Sequence, residues 1–472
     1  MGWTNTSVAA ALLLLLLNAV TGANAQIPKL KVDLQSPASI KSAAKVVAAN
    51  LMTYYRGDEP GQTPGILPGP PPGGDYYWWQ AGAMWGTIID YWYYTGDDTY
   101  NKEAIRSIVF QAEAPQNAFM PVNWTASLGN DDQAFWGMAA MSAAEVNFPN
   151  PAEDEPQYLA LAQAVFNTQA SRWETQHCNG GLRWQIPQHN GGYNYKNTIA
   201  NVCFLNIAAR LARYTSNDTY AQWAERTWDW SEGVGYIKPD FNIIDGAHVE
   251  ANCTDLNPVQ WSANAAILIH GAAIMYNYTK GEERWKRRVA GLLNRTVEHF
   301  FPDGIMVERP CELEDRVQCN VDQHSFKGYM HRALANVAIV APFTRNDIVK
   351  VLRTSTTGAA SSCLQDGTCG FRWNINDYDG DRNRGPAGQQ MSALAALSTL
   401  LLDQDHVNKG PLTNSTGGTS LGDPTAGSNI REIEPLAPIT TGDRGGAAIV
   451  TVIVLVSFVG SLGWMVGPWA ES

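Results

Sequence analysis

Six apolar runs rich in small residues recur along this chain at a near-constant interval, and that recurrence limits the fold more than any other feature. Marker residues at which the runs begin, Trp79, Asp132, Asn197, Trp261, Phe326 and Gln389, are separated by 53, 65, 64, 65 and 63 positions. Self-similarity at a fixed period means one supersecondary unit used repeatedly. Several units hold a second helical run, such as Trp223 to Trp228 or Trp285 to His299, so each reads as a pair of antiparallel helices. The joints are also alike. Tyr94-Thr95-Gly96-Asp97-Asp98-Thr99-Tyr100 is echoed by Tyr214-Thr215-Ser216-Asn217-Asp218-Thr219-Tyr220, and Tyr278-Thr279-Lys280-Gly281 is a looser third copy. Small side chains at Ala139, Ala140, Ser142, Ala143 and Ala144, and again at Ser392, Ala393, Ala395 and Ala396, let inner helices pack closely. The expected fold is all-α: an (α/α)6 toroid of six helical hairpins, with loops at one end of the inner helices forming a cleft. A linear helical solenoid is the competing arrangement.

The two ends of the chain point to the secretory pathway. The leucine run Leu12 to Leu17, closed by Ala23-Asn24-Ala25, has the apolar length and small-residue exit of a signal peptide over residues 1–25. No Lys or Arg precedes the run, so the α-amino group supplies the positive end. Ala447 to Val466 is an apolar stretch long enough to cross a bilayer, and no basic residue follows it as a cytoplasmic stop. Upstream lie small residues (Gly427, Ser428, Asn429, Gly442) and a polar linker, the pattern read by a GPI transamidase before it removes the tail. An ordinary tail-anchored span is the alternative. The sequons at Asn123, Asn217, Asn252, Asn277, Asn294 and Asn414 predict a glycosylated exterior. Among seven cysteines, Cys311/Cys319 and Cys363/Cys369 are spaced for small closed loops in an oxidising medium, and Cys178, Cys203 and Cys253 leave an odd thiol whose partners stay open. The absence of any CxxC argues against a zinc or redox site.

Composition narrows the ligand. A net charge of −12 disfavours nucleic acid and anionic glycans, so neutral substrates fit better. The 17 Trp and 18 Tyr offer faces for sugar rings, although most of the Trp are expected to fill a helical core.

The strongest catalytic candidates are Asp131 and Asp132, in Asn130-Asp131-Asp132-Gln133-Ala134-Phe135-Trp136. Asn130 is the expected helix cap, which puts both acids in the first turn. Acids are favoured there by the helix dipole alone, and Asp97-Asp98 in a repeat joint shows that a DD pair is not itself a signal. Context separates the two: Asp131-Asp132 opens an inner-type helix between Trp124 and the pair Phe135 and Trp136. Glycoside cleavage needs one carboxylic acid to protonate the leaving oxygen and one carboxylate to attack or to activate water, and close spacing favours retention. Two requirements oppose each other here. The helix N-terminus lowers carboxyl pKa values, whereas a general acid needs a raised one, leaving only the neighbouring charge to lift it.

Asn130-Asp131-Asp132-Gln133, Tyr76-Tyr77-Trp78-Trp79-Gln80-Ala81-Gly82, Cys178-Asn179-Gly180-Gly181, Lys196-Asn197, Asp322-Gln323-His324-Ser325-Phe326-Lys327-Gly328 and Gly388-Gln389-Gln390-Met391-Ser392-Ala393, in that set, resemble glycoside hydrolase family 76, the endo-α-1,6-mannanases. The resemblance runs from about Val32 to Leu402, and the two ends are similar to its fungal GPI-anchored cell-wall branch. It implies an (α/α)6 barrel over 26–405, no metal and no cofactor, and a retaining mechanism with Asp131 as nucleophile and Asp132 as general acid/base. Residues 406–445 then read as a Ser/Thr/Gly-rich flexible stalk and 446–472 as the attachment tail. The implied substrate is α-1,6-mannan or the mannose core of a GPI glycan, at the outer face of the plasma membrane and in the wall. Transfer to a β-glucan acceptor is the implied variant reaction, and a non-catalytic lectin-like wall protein is the alternative reading. Candidate sugar contacts are Trp78, Trp79, Trp184, Asn197, Trp261, His324 and Lys327, with at least half of the Trp expected in the core. Asp377-Tyr378-Asp379-Gly380-Asp381 opens like a calcium loop but lacks the Glu of the EF-hand position.

Overall fold

The residues that begin each apolar run become the N-terminal ends of six inner helices. In the computed structural model, which describes residues 27–312, 318–380, 386–428 and 441–466, the barrel helices are α1 (Pro37–Met52), α2 (Trp78–Thr95), α3 (Asn101–Ala112), α4 (Asn130–Glu145), α5 (Tyr158–Ser171), α6 (Thr198–Thr215), α7 (Asp218–Gly233), α8 (Ser262–Tyr278), α9 (Glu283–Phe300), α10 (Phe326–Val340), α11 (Arg345–Ser361) and α12 (Ala387–Thr399). Helices α2, α4, α6, α8, α10 and α12 pack side by side in that order, and α12 returns to touch α2. That last contact closes the ring and excludes the linear solenoid. The chain is an (α/α)6 toroid. Five inner helices are backed by the helix that follows them, but α12 is backed by α1, so the N-terminus completes the sixth hairpin.

Burial explains the two kinds of helix. In α8 every residue from Ser262 to Met275 is buried, because an inner helix has neighbours on all sides. Outer helix α9 buries only a stripe, Trp285, Arg288, Val289, Leu292, Leu293, Thr296 and Phe300, at spacings of three and four. Each large apolar side chain of that stripe contributes roughly 1.5–3 kcal/mol. Close approach within the ring needs small residues: a Cβ on Gly82 of α2 would lie 2.8 Å from the Trp136 ring of α4.

The repeated joints share one geometry. Gly96 and Ser216 both take left-handed backbone (φ 78° and 56°) after an inner helix. Asp97 and Asn217 then each accept a hydrogen bond from the amide two residues on, Thr99 at 3.0 Å and Thr219 at 2.9 Å. This turn sends the chain from the foot of an inner helix into the next outer one. At the opposite end, strands β1 (Tyr195–Asn197) and β2 (Gly246–His248) pair antiparallel beside the starts of α6 and α8.

Disulfides join Cys178–Cys253, Cys311–Cys319 and Cys363–Cys369, which leaves Cys203 of α6 as a buried thiol. All six sequon asparagines are exposed. The segment expected as a flexible stalk differs from that expectation as far as Ser428. Leu412 N–H donates to Glu145 O (2.7 Å), Asn414 N–H to Tyr214 O (3.0 Å), Leu159 N–H to Ser420 Oγ (3.0 Å) and Asp423 N–H to Gln163 Oε1 (2.7 Å). Its backbone amides and the Ser420 hydroxyl are bonded to the barrel, which composition does not reveal. Further on, Thr441–Val466 is a helix, and its Arg444–Met465 portion is long and apolar enough to cross a membrane, with mean hydropathy 2.2.

Candidate active site

The N-terminal ends of the inner helices open into a cleft of about 490 Å³, whose walls include Trp79, Asp131, Asp132, Phe135, Trp184, Asn197, Trp261 and Asp322. Its floor is aromatic: Trp79 and Phe135 are 4.5 Å apart between centroids, and Phe135 and Tyr329 5.1 Å. Gly129, not Asn130, is the N-cap of α4, and the Asp132 carboxylate reaches back to accept the Gly129 N–H at 2.8 Å. Asn130 has another task. Its N–H donates to Trp184 O (2.8 Å), its Nδ2 to Arg183 O (2.9 Å), and its Oδ1 accepts from Arg172 Nε (2.8 Å). These bonds fix the 183–185 segment against the start of α4 and hold Trp184 at the rim. Gly129 is required for space. Its φ of −95° suits any residue, but a Cβ there would lie 2.2 Å from Asp131 Oδ1 and 3.1 Å from Asp132 Oδ2.

Burial resolves the conflict over acidity. Desolvation pushes Asp131 up to about 7, against hydrogen bonds from the Asp131 and Asp132 amides and from Asn197, and with the negative charge of Asp322 adding to the rise. Asp132 is raised well above the usual carboxylate range, first by burial, then by the charge of Asp131. It has only the Gly129 amide to favour its anion among these donors. Side by side in this setting, the two carboxyl groups hold one shared proton far more readily than they ionise together. The helix N-terminus does lower both carboxyls, but removal from water outweighs it.

Two further carboxyl groups face this space. Asp322 accepts from Trp79 Nε1 at 3.2 Å and is pushed up to about 6 by burial. Asp245 accepts from Tyr195 Oη at 2.8 Å and Asn257 Nδ2 at 3.1 Å, and burial raises it too. No Lys or Arg lies among the described residues lining the cleft. Four carboxyl groups thus share one pocket with no neutralising cation among those residues.

Of the predicted sugar contacts, Trp79, Trp184, Asn197 and Trp261 line the cleft, whereas Trp78, His324 and Lys327 do not. Trp78 is 3% exposed, stacks on Trp136 at 5.2 Å and donates to Gln111 Oε1 at 2.7 Å. His324 is buried with its ring 5.0 Å from that of Phe371. Lys327 is buried as well, paired with Glu312 at 2.8 Å and donating to Phe371 O at 2.6 Å. Each sits one helical step behind the wall: the motif containing them is at the cleft, but the helix turns those side chains into the core. Asp379, of the calcium-like stretch, accepts the Phe371 and Arg372 amides (3.0 and 3.2 Å), and Asp381 lies outside the described residues.

The model of Glycosyl hydrolase family 76 matches residues 39–415. The chain belongs to that family. It is 44% identical to the mannan endo-1,6-alpha-mannosidase DCW1 of Eremothecium gossypii over 93% of this chain and 95% of that one. The crystal structure of Dfg5 from Chaetomium thermophilum in complex with glucosamine is 49% identical, with a TM-score of 0.81 over 85% of this chain and 98% of that one. At 16% identity the fold alone extends to the α-1,6-mannanase GH76A of Salegentibacter sp. HEL1_6, with a TM-score of 0.60 over 77% of this chain and 99% of that one. The form of that enzyme compared is an inactive variant, with two consecutive aspartates replaced by asparagine, bound to α-1,6-mannotriose. Within this family 76 chain, sequence reasoning missed the cleft carboxyl groups Asp245 and Asp322, and Gly129, which makes room for the Asp131-Asp132 pair. Asp322 did carry a signal, since it opens the motif that leads into α10. Asp245 carried none, because it sits in the irregular connection between α7 and α8.

Proposed function

We propose that this chain is a retaining, endo-acting α-1,6-mannosidase of the fungal cell surface, acting on α-1,6-mannan or on the mannose core of GPI glycans. The observation that carries this reading is the Asp131-Asp132 pair at the start of α4, with Asp131 buried, Asp132 half-buried at the cleft, both raised, and no cation among the described cleft residues. In the first step the Asp131 carboxylate attacks the anomeric carbon while the Asp132 carboxyl protonates the departing glycosidic oxygen. The C–O bond to the leaving sugar breaks and a mannosyl ester forms on Asp131. Asp132, now an anion, takes a proton from the incoming water as it attacks the same carbon. Asp131 leaves as carboxylate and both groups return to their starting states. Trp79, Trp184 and Trp261 offer faces to the sugar rings, and Asn197, Asp245 and Asp322 are placed to accept or donate hydrogen bonds to hydroxyls. The names of the fungal relatives, mannan endo-1,6-alpha-mannosidases, support the substrate class.

The apolar tail supports a GPI signal, with a lipid anchor replacing it at the outer face of the plasma membrane. Residues 1–25 as signal peptide and the exposed sequons fit the same route. The test is to incubate the ectodomain, residues 26–428, with α-1,6-mannooligosaccharides and follow products by mass and anomeric configuration. Shorter products that first appear as the α-anomer are expected, and Asp131→Asn should yield none. Binding without any change of the sugar would leave the lectin-like reading instead. Addition of a β-glucan oligosaccharide tests transfer: products heavier than either reactant mean that a sugar hydroxyl intercepts the intermediate in place of water.

A further inference from the structure

The start of α8 is built differently from the starts of α2 and α4. Three residues after the N-cap, these helices carry Gln80 (α2), Asp132 (α4) and Asn264 (α8). Gln80 Oε1 accepts the Tyr77 N–H at 2.8 Å, and Asp132 accepts the Gly129 N–H, so each reaches back to its own N-cap. That is the common task of a polar side chain at this position. In α8 the acceptor comes from elsewhere: the buried Glu308 carboxylate, in the connection between α9 and α10, takes both the Ser262 N–H (3.0 Å) and the Ser262 hydroxyl. Glu308 is itself held, since its N–H donates to Glu312 at 2.9 Å and Glu312 pairs with Lys327 at 2.8 Å. The first turn of α8 is thus fixed from outside, and the Asn264 amide is left over.

Asn264 is 2% exposed, lines the cleft together with Trp261, and its Nδ2 has no hydrogen-bond partner in the protein. Residues three apart at a helix start share a face, which puts this amide on the same wall as the Trp261 ring. A buried donor left unpaired destabilises a fold, so it calls for a partner that arrives from the cleft. Other donors there are already spent. Trp79 Nε1 goes to Asp322 (3.2 Å), Tyr195 Oη to Asp245 (2.8 Å), Asn190 Nδ2 to Gln185 (2.9 Å) and the Asn197 amide to Asp131. A sugar hydroxyl both donates and accepts. The ionised carboxyl groups of this cleft can take its proton, but their oxygens repel its lone pairs, which need an N–H.

We propose that Asn264 reads the substrate: its Nδ2 donates to a hydroxyl oxygen of the mannosyl unit that lies on Trp261. The proposal rests on the mannosidase reading above and names the group that selects how the hydroxyls of that unit are arranged. The amide is a burden to the free enzyme and is satisfied in the complex. A sugar that lacks the hydroxyl, or carries it in the other configuration, leaves the donor unpaired and binds less well.

The experiment is made on the full-length protein with Asn264→Leu, which keeps nearly the same shape and has no polar atom. On α-1,6-mannotriose, kcat/KM should fall about 10- to 100-fold, mostly through KM. Without sugar, Tm should equal that of wild type or exceed it by up to about 3 °C, because an unpaired buried donor has been removed. In an Asp131→Asn background, where the sugar is bound and not cleaved, Kd should weaken about tenfold. Monodeoxy mannotrioses then identify the hydroxyl: the one whose removal costs about tenfold in the presence of Asn264 should cost less than twofold in Asn264→Leu. A Tm several degrees lower alongside the lost activity would put the amide in the packing of α8 and overturn the proposal. Unchanged mannotriose binding, or equal losses for every deoxy sugar in both proteins, would overturn it too. If wild type neither binds nor cleaves mannotriose, the mannosidase reading itself fails. If wild type is active and Asn264→Leu matches it, only the role of Asn264 is wrong.

Discussion

Two Asp-Asp pairs stand at opposite ends of the same ring, and their surroundings make them different chemical objects. Asp97, at the foot of α2, is pushed up by burial, but hydrogen bonds from Thr99 and Tyr91 and the Lys45 ammonium at 3.1 Å hold it below the usual range. Its neighbours favour the anion. Asp131, at the head of α4, also has amide donors, yet burial and the Asp322 charge leave it raised to about 7. The rest of the foot follows the pattern of Asp97: Glu145 is paired with Arg210 at 2.6 Å and Asp90 with Arg332 at 2.5 Å. At the foot the acids meet cations that offset their desolvation, whereas the cleft acids have none among the described lining residues and are raised. A carboxyl group taken from water without such a partner is costly to ionise, which is what leaves it able to change protonation state.

The largest test of that contrast is to remove one carboxylate from each end. Asp131→Asn and Asp132→Asn should each lower kcat/KM on α-1,6-mannooligosaccharides by about 10³-fold or more, as expected for loss of a nucleophile or a general acid. Asp97→Asn should leave it within twofold. A large loss of activity at Asp97 would break the distinction.

Gly129→Ala sharpens the same comparison without touching a charge. The new Cβ must displace the Asp131 carboxylate, since the two would otherwise be 2.2 Å apart, while the backbone at 129 accepts alanine without strain. A misplacement of about 1 Å costs on the order of 10²-fold in rate. A kcat lower by about 10- to 100-fold, with a Tm within about 3 °C of wild type, is the expected pair of results. Equal losses in activity and stability would mean that the glycine serves the helix start rather than the carboxylates.

Stability should respond to pH with opposite sign at the two ends. Asp131 has a folded value near 7 and an unfolded value near 3.9. The folded state therefore binds more protons between those limits, and its stability falls as pH rises through them. Asp131→Asn removes this liability, so the inactive variant should be more stable than wild type at pH 8, by ~1–4 kcal/mol, since each tenfold change in proton affinity on folding is worth about 1.4 kcal/mol. The gap should close as the pH falls toward 4. Chemical denaturation of both proteins at pH 4.5, 6 and 8 measures it, and a variant less stable than wild type at pH 8 would refute the assignment of Asp131 as a destabilising group.

The toroid was legible because its cause is periodic: six inner helices need small, all-round apolar runs, and their starts fall at the marker residues from Trp79 to Gln389. Helix α1 went unassigned because its partner, α12, lies at the far end of the chain. Asp131 and Asp132 were legible as a pair, but their acidity was not, since desolvation depends on which side chains cover them. Trp78 and Trp79 show the limit most sharply. Adjacent in sequence and identical in kind, one donates to Gln111 in the core and the other to Asp322 in the cleft. Only the phase of the helix decides between them. The binding of the segment after the barrel was hidden for a related reason: Thr413 to Ser428 is a poor core sequence, but it supplies carbonyls and a hydroxyl to Asn147, Asn167 and Leu159 and an amide to Gln163, a fit that composition does not encode.

The smallest expected effect lies in the foot pair itself. Asp97 accepts from Tyr91 Oη at 2.9 Å and from the Thr99 amide at 3.0 Å, and it meets a lysine that is largely exposed. Asparagine keeps one acceptor oxygen and loses the charge, so the cost at pH 7 should be about 1 kcal/mol, mostly from weakened hydrogen bonds rather than from the screened lysine contact. Because the folded value of Asp97 lies below its unfolded one, its contribution is present above about pH 4 and is lost as the pH falls further. The advantage of wild type over Asp97→Asn should accordingly shrink in acid, opposite in sign to Asp131, where it is the variant's advantage that shrinks. Added salt at about 0.5 M should change it little, whereas a difference abolished by salt would move the anchor of this joint from Tyr91 and Thr99 to Lys45.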